Sequence, residues 1–373
     1  MQKQEITNID YILFLLLKAA LWNQMPKDIK VFETLSQKEW ELIMLNSANN
    51  AVKAIAYDGV CAIQKNYPTS INIEKKIKLA WAYNVDIIEQ QYAYHKKTAE
   101  EFAHLMAKHN IKTTIIKGLS LSNYYPIAKH RECGDIDIFL NDNYNKGNQI
   151  IKDLSIAVNT HYEKHSSFYY KKIDIENHKF FLNKQVYKVD KILEEHLNTY
   201  LHTEPQTLIF NQEPKIYTPS ANFNTIFLSR HMISHLSMGS KLRHYTDWCL
   251  YINANKDKID FDKISQIFIE AKLGPILNAI NYFCINNLGL ETNYFPKLEQ
   301  ENTIVSAKLL SFFEHNKISM LKHGKLANLI YKAKLVIYQN IKESKLVHGQ
   351  NKIALLSFII LRQIKRYKEI FKV

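Results

Sequence analysis

Asp135 and Asp137 stand two residues apart in the run Gly134-Asp135-Ile136-Asp137-Ile138. On an extended strand alternate residues share a face, so the two carboxylates project together. Ile136, Ile138 and Leu140 then turn the other way, toward a core. Paired carboxylate oxygens on one rigid edge are hard ligands, suited to Mg²⁺ and, through it, to a nucleoside triphosphate. An Asp-x-Asp pair also occurs on solvated strand faces, so its surroundings matter. Upstream, the apolar run Thr113–Ile116 ends in Lys117-Gly118. Gly118 can adopt backbone angles closed to other residues, which lets main-chain N–H groups approach phosphate oxygens. Ser120 adds a hydroxyl close by. Arg131 offers a two-pronged guanidinium for a phosphate. Lys117 offers a point charge to a phosphate, or a partner for an acid inside the fold.

A third carboxylate is needed to hold two metal ions, and Tyr170–His178 supplies candidates. On a strand Asp174, Glu176 and His178 share one face while Ile173 and Ile175 share the other. Asp174 or Glu176 is expected to meet the Asp pair across the sheet, completing a metal site or accepting a proton from an attacking hydroxyl. The alternative is an exposed polar strand face. Cys133 lies next to this region, but the chemistry needs no thiol.

These residues have to be carried by regular elements. Residues 1–86 predict a helical region. Its segments are Asp10–Trp22, a helix begun by the capping box Ser36-x-x-Glu39 and running through Leu45, Ala51–Gln64, and Ile73–Tyr83. Ile87–His109 predicts a long amphipathic helix with Asn110 as its C-terminal cap. Strands are expected at Thr113–Ile116, Ile136–Leu140, His161–Lys164, Phe168–Tyr170 and Lys172–His178. A short helix, Leu119–Tyr125, ends at Pro126, and further helices cover Tyr144–Val158 and Val189–Leu201. Such a mixture predicts an α+β fold with a small mixed β-sheet, residues 87–203, and helices on one side. Pro205, Pro214 and Pro219 mark residues 204–221 as a linker with a short hairpin, Leu208–Phe210 and Lys215–Tyr217. Residues 222–373 read as a helical C-terminal domain: Asn222–Ser237, Leu242–Asn255, Phe261–Ala271, Pro275–Asn287, Glu301–His315, Leu326–Lys345 and Ile353–Phe371.

Composition narrows the setting. The 373 residues are 46% hydrophobic and 23% charged, ordinary for a globular protein of two or three domains. No apolar run reaches the roughly 18 residues of a membrane span. The N-terminal MQKQEITNID does not read as a signal peptide. Cys61, Cys133, Cys249 and Cys284 match no disulfide or zinc spacing, which fits reduced thiols in the cytoplasm. The net charge of +13 is concentrated at the C-terminal end, where residues 321–373 hold twelve Lys or Arg and two Glu. That end is either a solvated helical face or a contact for RNA, an anionic membrane surface or an acidic partner. Within it, residues 351–371 read as a last core helix or a membrane-surface helix.

The run Lys117-Gly118, Leu121, Tyr124-Tyr125, then Arg131 and Gly134-Asp135-Ile136-Asp137-Ile138, resembles the bacterial uncharacterised nucleotidyltransferase family of the DNA polymerase β-like superfamily. Glu176-Asn177-His178 resembles that family's acidic-x-His strand. Phe223–Trp248 resembles its helical segment, with His231 and His235, then Arg243, Asp247 and Trp248. The resemblance implies a nucleotidyltransferase core with a helical N-terminal layer and a helical C-terminal domain. It further implies Asp135, Asp137 and Glu176 as metal and catalytic residues, with Lys117, Gly118, Ser120 and Arg131 around the triphosphate. Mg²⁺ is the implied cofactor and an NTP the donor.

His231 and His235 share a helix face at a spacing that can bind zinc, but no third ligand is evident, so a structural or substrate-facing role is favoured. Arg243 and Asp247 are expected to pair along one helix, and Trp248 to be core. The leading expectation is Mg²⁺-dependent transfer of a nucleoside monophosphate to an acceptor hydroxyl, a small metabolite or sugar, with release of pyrophosphate. Transfer onto RNA or protein is the second reading, and a catalytically silent binding module the third.

Overall fold

The computed structural model describes residues 8–210, 213–236, 240–295, 297–298 and 347–348. Most of the basic C-terminal end, including the expected helices Glu301–His315, Leu326–Lys345 and Ile353–Phe371, lies outside the described residues. The described chain is α+β, with one six-stranded mixed sheet and many helices.

Four helices come first: α1 (Asn8–Trp22), α2 (Lys30–Glu33), α3 (Gln37–Asn49) and α4 (Lys53–Asn66). The capping box that starts α3 forms as its sequence predicts: Ser36 Oγ accepts from the Glu39 N–H, and the Glu39 carboxylate accepts from the Ser36 N–H at 2.8 Å. Helix α5 then runs unbroken over Lys75–Ala107. The sequence reading divided this stretch near residues 84–86. In fact Val85 and Ile88 are both buried against the helical core, which carries the apolar stripe straight through the expected break. Asn110 takes a left-handed φ of 58° and turns the chain out of the helix.

The sheet has the order β3-β4-β2-β1-β6-β5. Strands β1 (Thr113–Ile115) and β2 (Ile136–Phe139) are antiparallel, with Thr114 opposite Phe139. After helix α6 (Tyr144–Asp153) come β3 (His165–Tyr170) and β4 (Ile173–His178), a hairpin closed at Lys171-Lys172 with φ of 48° and 66°. Both central residues are left-handed, which is the backbone a two-residue hairpin requires. No strand forms at 161–164; the edge strand begins at His165. Strand β4 then pairs in parallel with β2, so the hairpin places β4 beside the Asp pair.

The segment read as a linker belongs to the sheet. After helix α7 (Lys188–Thr203), strands β5 (Thr207–Phe210) and β6 (Ile216–Thr218) form an antiparallel hairpin. Strand β6 pairs in parallel with β1, Thr113 opposite Ile216. Its proline-rich flanks suggested a linker, but Ile216 is fully buried against the sheet core, which ties the hairpin to it. Helices α8 (Ala221–His235), α9 (Leu242–Asn255), α10 (Phe261–Glu270) and α11 (Gly274–Leu288) complete the described fold.

Two apolar cores follow from the alternation of the strands. One sheet face, with Ile115, Ile136, Ile138, Ile175 and Phe168, packs on Phe102, Ala103 and Met106 of α5 and on Ile150 and Ile151 of α6. A larger core joins α1, α4, α7, α8, α9 and α11, so the N-terminal and C-terminal helices share one interior. The opposite sheet face carries the polar residues. No described helix is long and apolar enough to cross a membrane.

The loop between β1 and β2 is fixed from the helical side. His130 places Nδ1 2.7 Å from Asp58 of α4 and Nε2 2.8 Å from Glu89 of α5, and Lys129 also reaches Glu89. Burial opposes charging the His130 ring, but the two carboxylates outweigh it and raise its pKa above the ordinary imidazole value of 6.5. A raised folded-state pKa contributes stability that is complete below pH 6.5 and lost as pH rises through the folded value. The urea midpoint should therefore fall as pH is raised from about 6.5, and His130→Gln should flatten that fall. Parallel profiles for the two proteins would contradict the assignment.

Candidate active site

The register of three strands brings the acids together. Asp137 of β2 lies opposite Glu176 of β4, and Glu176 lies opposite Ser167 of β3. One oxygen from each of Asp135, Asp137 and Glu176 falls within 4.8 Å of the others. Asp137 is fully buried, whereas Asp135 and Glu176 are partly open. Of the two acids left open by sequence, Glu176 joins the cluster of three; Asp174, further along the same face, does not.

A buried carboxylate ionises only where it is matched. Lys117 Nζ stands 3.0 Å from Asp137 Oδ2 and 3.8 Å from Asp135 Oδ2. His178 Nε2 stands 2.9 Å from Asp137 Oδ1, and His178 Nδ1 faces the Phe180 carbonyl at 3.1 Å. Burial disfavours the charge on Asp137, but Lys117 and His178 overcome it and hold the carboxyl well below its ordinary range. The same groups bear differently on its neighbours. The Asp137 charge, with burial, pushes Asp135 up, while Glu176, despite burial, is drawn down chiefly by His178. Lys117, in turn, is kept charged against its burial by Asp137 and Asp135. Of the two roles the sequence allowed Lys117, the structure gives it the partner inside the fold.

Two basic groups that sequence reasoning did not single out also face the cluster. His165 Nε2 lies 3.4 Å from Glu176, and burial pushes this ring down to about 4, leaving it neutral. Lys164 is close enough for its charge to bear on Asp137, Glu176 and Lys117. The signal was available in the hairpin turn, since closure at Lys171-Lys172 sets His165 opposite His178.

The phosphate-facing candidates separate into two groups. Gly118 has φ of 64°, a conformation that favours glycine, and begins a 3₁₀ turn over Gly118–Tyr124. A Cβ there would stand 3.5 Å from the Asp135 carbonyl, so the turn lies directly against the Asp pair. Ser120 is buried in that turn and its Oγ has no hydrogen-bond partner among the described residues. Arg131 is placed differently from its expected role. Its Nε and Nη2 donate to the two oxygens of Asp247 in α9, at 2.7 and 2.8 Å, in a buried fork. The guanidinium is engaged in holding α9 to the loop rather than turned to a phosphate. The expected Arg243–Asp247 pair does not form for the same reason; Arg243 donates to the Glu132 carbonyl at 2.8 Å. Tyr125 adds a 2.6 Å bond to Asp247, and Trp248 is core, as its sequence position suggested.

The loop that delivers Asp135 is thus held nearly residue by residue. Beyond His130 and Arg131, Glu132 accepts the Lys53 N–H at the start of α4, at 3.0 Å. The Gly134 carbonyl lies 2.6 Å from His95 Nε2 of α5. Anchoring of this kind fixes the position of the Asp135 carboxylate in advance of any ligand.

An open cleft of about 690 Å³ runs beside Glu176 along β3 and β4, lined in part by His161, Tyr162, His165, Tyr169 and Asp174. The cluster offers three carboxylates within reach of a single ion, the hard oxygen donors that suit Mg²⁺ or Mn²⁺, with the His165 and His178 imidazoles beside Glu176. The residues present therefore fit a hard divalent cation.

The Arg131–Asp247 fork makes a stability prediction. Asp247→Asn leaves a buried guanidinium without its counter-charge and should destabilise the fold by about 3–5 kcal/mol in urea unfolding. The double variant Arg131→Met/Asp247→Leu should lose less than Asp247→Asn, because it leaves no unpaired charge. A loss below about 1 kcal/mol for Asp247→Asn would show that the fork holds nothing.

Residues 36–289 match the model of a family described as uncharacterised nucleotidyltransferase. No curated protein and no solved structure shows significant similarity to the chain. The chain belongs to the uncharacterised nucleotidyltransferase family.

Proposed function

Starting from that membership, we propose that the protein is a Mg²⁺-dependent nucleotidyltransferase that moves a nucleoside monophosphate from an NTP to an acceptor hydroxyl and releases pyrophosphate. The observation that carries the reading is the convergence of Asp135, Asp137 and Glu176 within 4.8 Å on one sheet face. Asp135 and Asp137 would hold the metal on the donor side, and Glu176 would complete its ligand set beside the cleft. When bound, the metal supplies Lewis-acid stabilisation of charge on the phosphoryl oxygens and the leaving pyrophosphate.

The chain's own residues have separate tasks in this reading. The Gly118 turn brings backbone against the Asp pair, where its N–H groups would meet the triphosphate, and the Ser120 hydroxyl lies buried behind that turn. Lys117 offsets the concentrated negative charge of the acids. Glu176, kept anionic and open to the cleft, takes the proton of the attacking hydroxyl. His165 and His178 flank it, with Nε2 atoms 3.4 and 3.6 Å from its two oxygens. A small polar acceptor suits a cleft lined by His161, Tyr162 and Tyr169 beside the catalytic acid, and a sugar or similar metabolite is the favoured class.

Asp135→Ala and Asp137→Ala should each abolish metal-dependent pyrophosphate release, while Glu176→Gln should lower turnover by about 100-fold or more. Circular dichroism of Asp135→Ala should match wild type, since that residue is partly exposed. Wild-type protein that releases no pyrophosphate with any of the common NTPs across an acceptor panel would overturn the proposal. Unchanged activity in the Asp variants would do so equally.

A further inference from the structure

A second group of ligating side chains stands apart from the carboxylates. His231 and His235 lie one turn apart on α8, and His244 comes from the first turn of α9. One ring nitrogen from each falls within 4.8 Å of the others, and the ring centroids are 4.4, 4.7 and 5.4 Å apart. We propose that His231, His235 and His244 form a cation site for a zinc-class transition metal, separate from the Mg²⁺ site.

Three arguments support it. The first is geometric. The spacing of four on one helix aligns two imidazoles, and the neighbouring helix supplies the third ligand that the sequence alone did not reveal. Helix α9 is anchored there independently of any metal, by the Asp247–Arg131 fork in its next turn. The second is chemical. An all-imidazole set prefers borderline metals such as zinc, whereas the Asp135, Asp137 and Glu176 oxygens suit Mg²⁺. The third is the state of the rings. Burial, with the nearby Lys117 charge, pushes His235 down to about 4, and burial holds His231 and His244 below the imidazole range as well. Neutral imidazoles each keep a lone pair for a metal.

No hydrogen bond links the three rings among the described residues. Among the described residues, the Lys241 N–H faces His244 Nδ1 at 3.5 Å, the outer limit of a hydrogen bond. Such a contact is weak enough to be exchanged for a metal bond. Three protein ligands leave a coordination position for water or a substrate atom, the arrangement of open rather than closed zinc centres.

The test uses the full chain stripped of metal by chelation, then equilibrated with Zn²⁺, with bound metal counted by mass spectrometry and Co²⁺ absorption recorded in parallel. Wild type and Asp137→Asn should differ from His235→Gln and His244→Ala by one equivalent of zinc. The visible Co²⁺ bands of a nitrogen-ligated ion should vanish with that equivalent. Circular dichroism of His235→Gln, which keeps side-chain volume, confirms that the fold survives. Wild type that takes up no zinc, His variants that keep every equivalent, or an equivalent lost in Asp137→Asn alone would each overturn the site. Pyrophosphate release plays no part in the readout, so failure of the proposed activity leaves this result interpretable.

Discussion

A carboxylate buried to zero exposure is the constraint around which the sheet face is arranged. Asp137 cannot lie there ionised unless cations and donors reach it. Lys117, at the end of β1, approaches one oxygen, and His178, at the end of β4, approaches the other. Those two contacts require β1 and β4 to flank β2, which is the observed order. The same packing places Glu176 beside Asp137 and sets the Gly118 turn against Asp135. The charge balance of one buried acid and the assembly of the three-acid cluster are therefore one structural fact.

The cluster also depends on residues 131–135, which form neither helix nor strand. Loops deliver ligands imprecisely unless something holds them. Here Asp58, Glu89, His95 and Asp247 each fix one point between residues 130 and 134, and they come from α4, α5 and α9. The helical regions before and after the sheet thus meet at the loop as well as in their shared core. This explains why so small a sheet carries so much helix around it.

Much of this was legible in the sequence. Strand alternation alone predicted the common face of Asp135 and Asp137; the same rule put both Asp174 and Glu176 forward, and the resemblance to the family chose Glu176. The Ser36 capping box and the bounds of α9 also follow from local chemistry. What sequence could not show were pairings across long stretches of chain. The partner of Arg131 lies 116 residues away, and local spacing pairs Asp247 instead with Arg243, its neighbour on the same helix. His244 likewise joins His231 and His235 only once α8 and α9 pack. The hairpin of β5 and β6 looked like a linker because prolines flank it, and its place in the sheet is set by the distant pairing with β1. That α5 runs unbroken past Asn84 and Asp86 follows from the core that buries Val85 and Ile88, a packing that local sequence does not display.

Crystals soaked with Mn²⁺ and a non-hydrolysable NTP address the central claim most directly, because anomalous scattering locates the ion without assumption. The ion is predicted between Asp135, Asp137 and Glu176, with the triphosphate running toward the Gly118 turn. Lys117 should then move off the Asp135 oxygen that it approaches at 3.8 Å. Manganese bound elsewhere, or a nucleotide held with no ion at these three acids, would contradict the account.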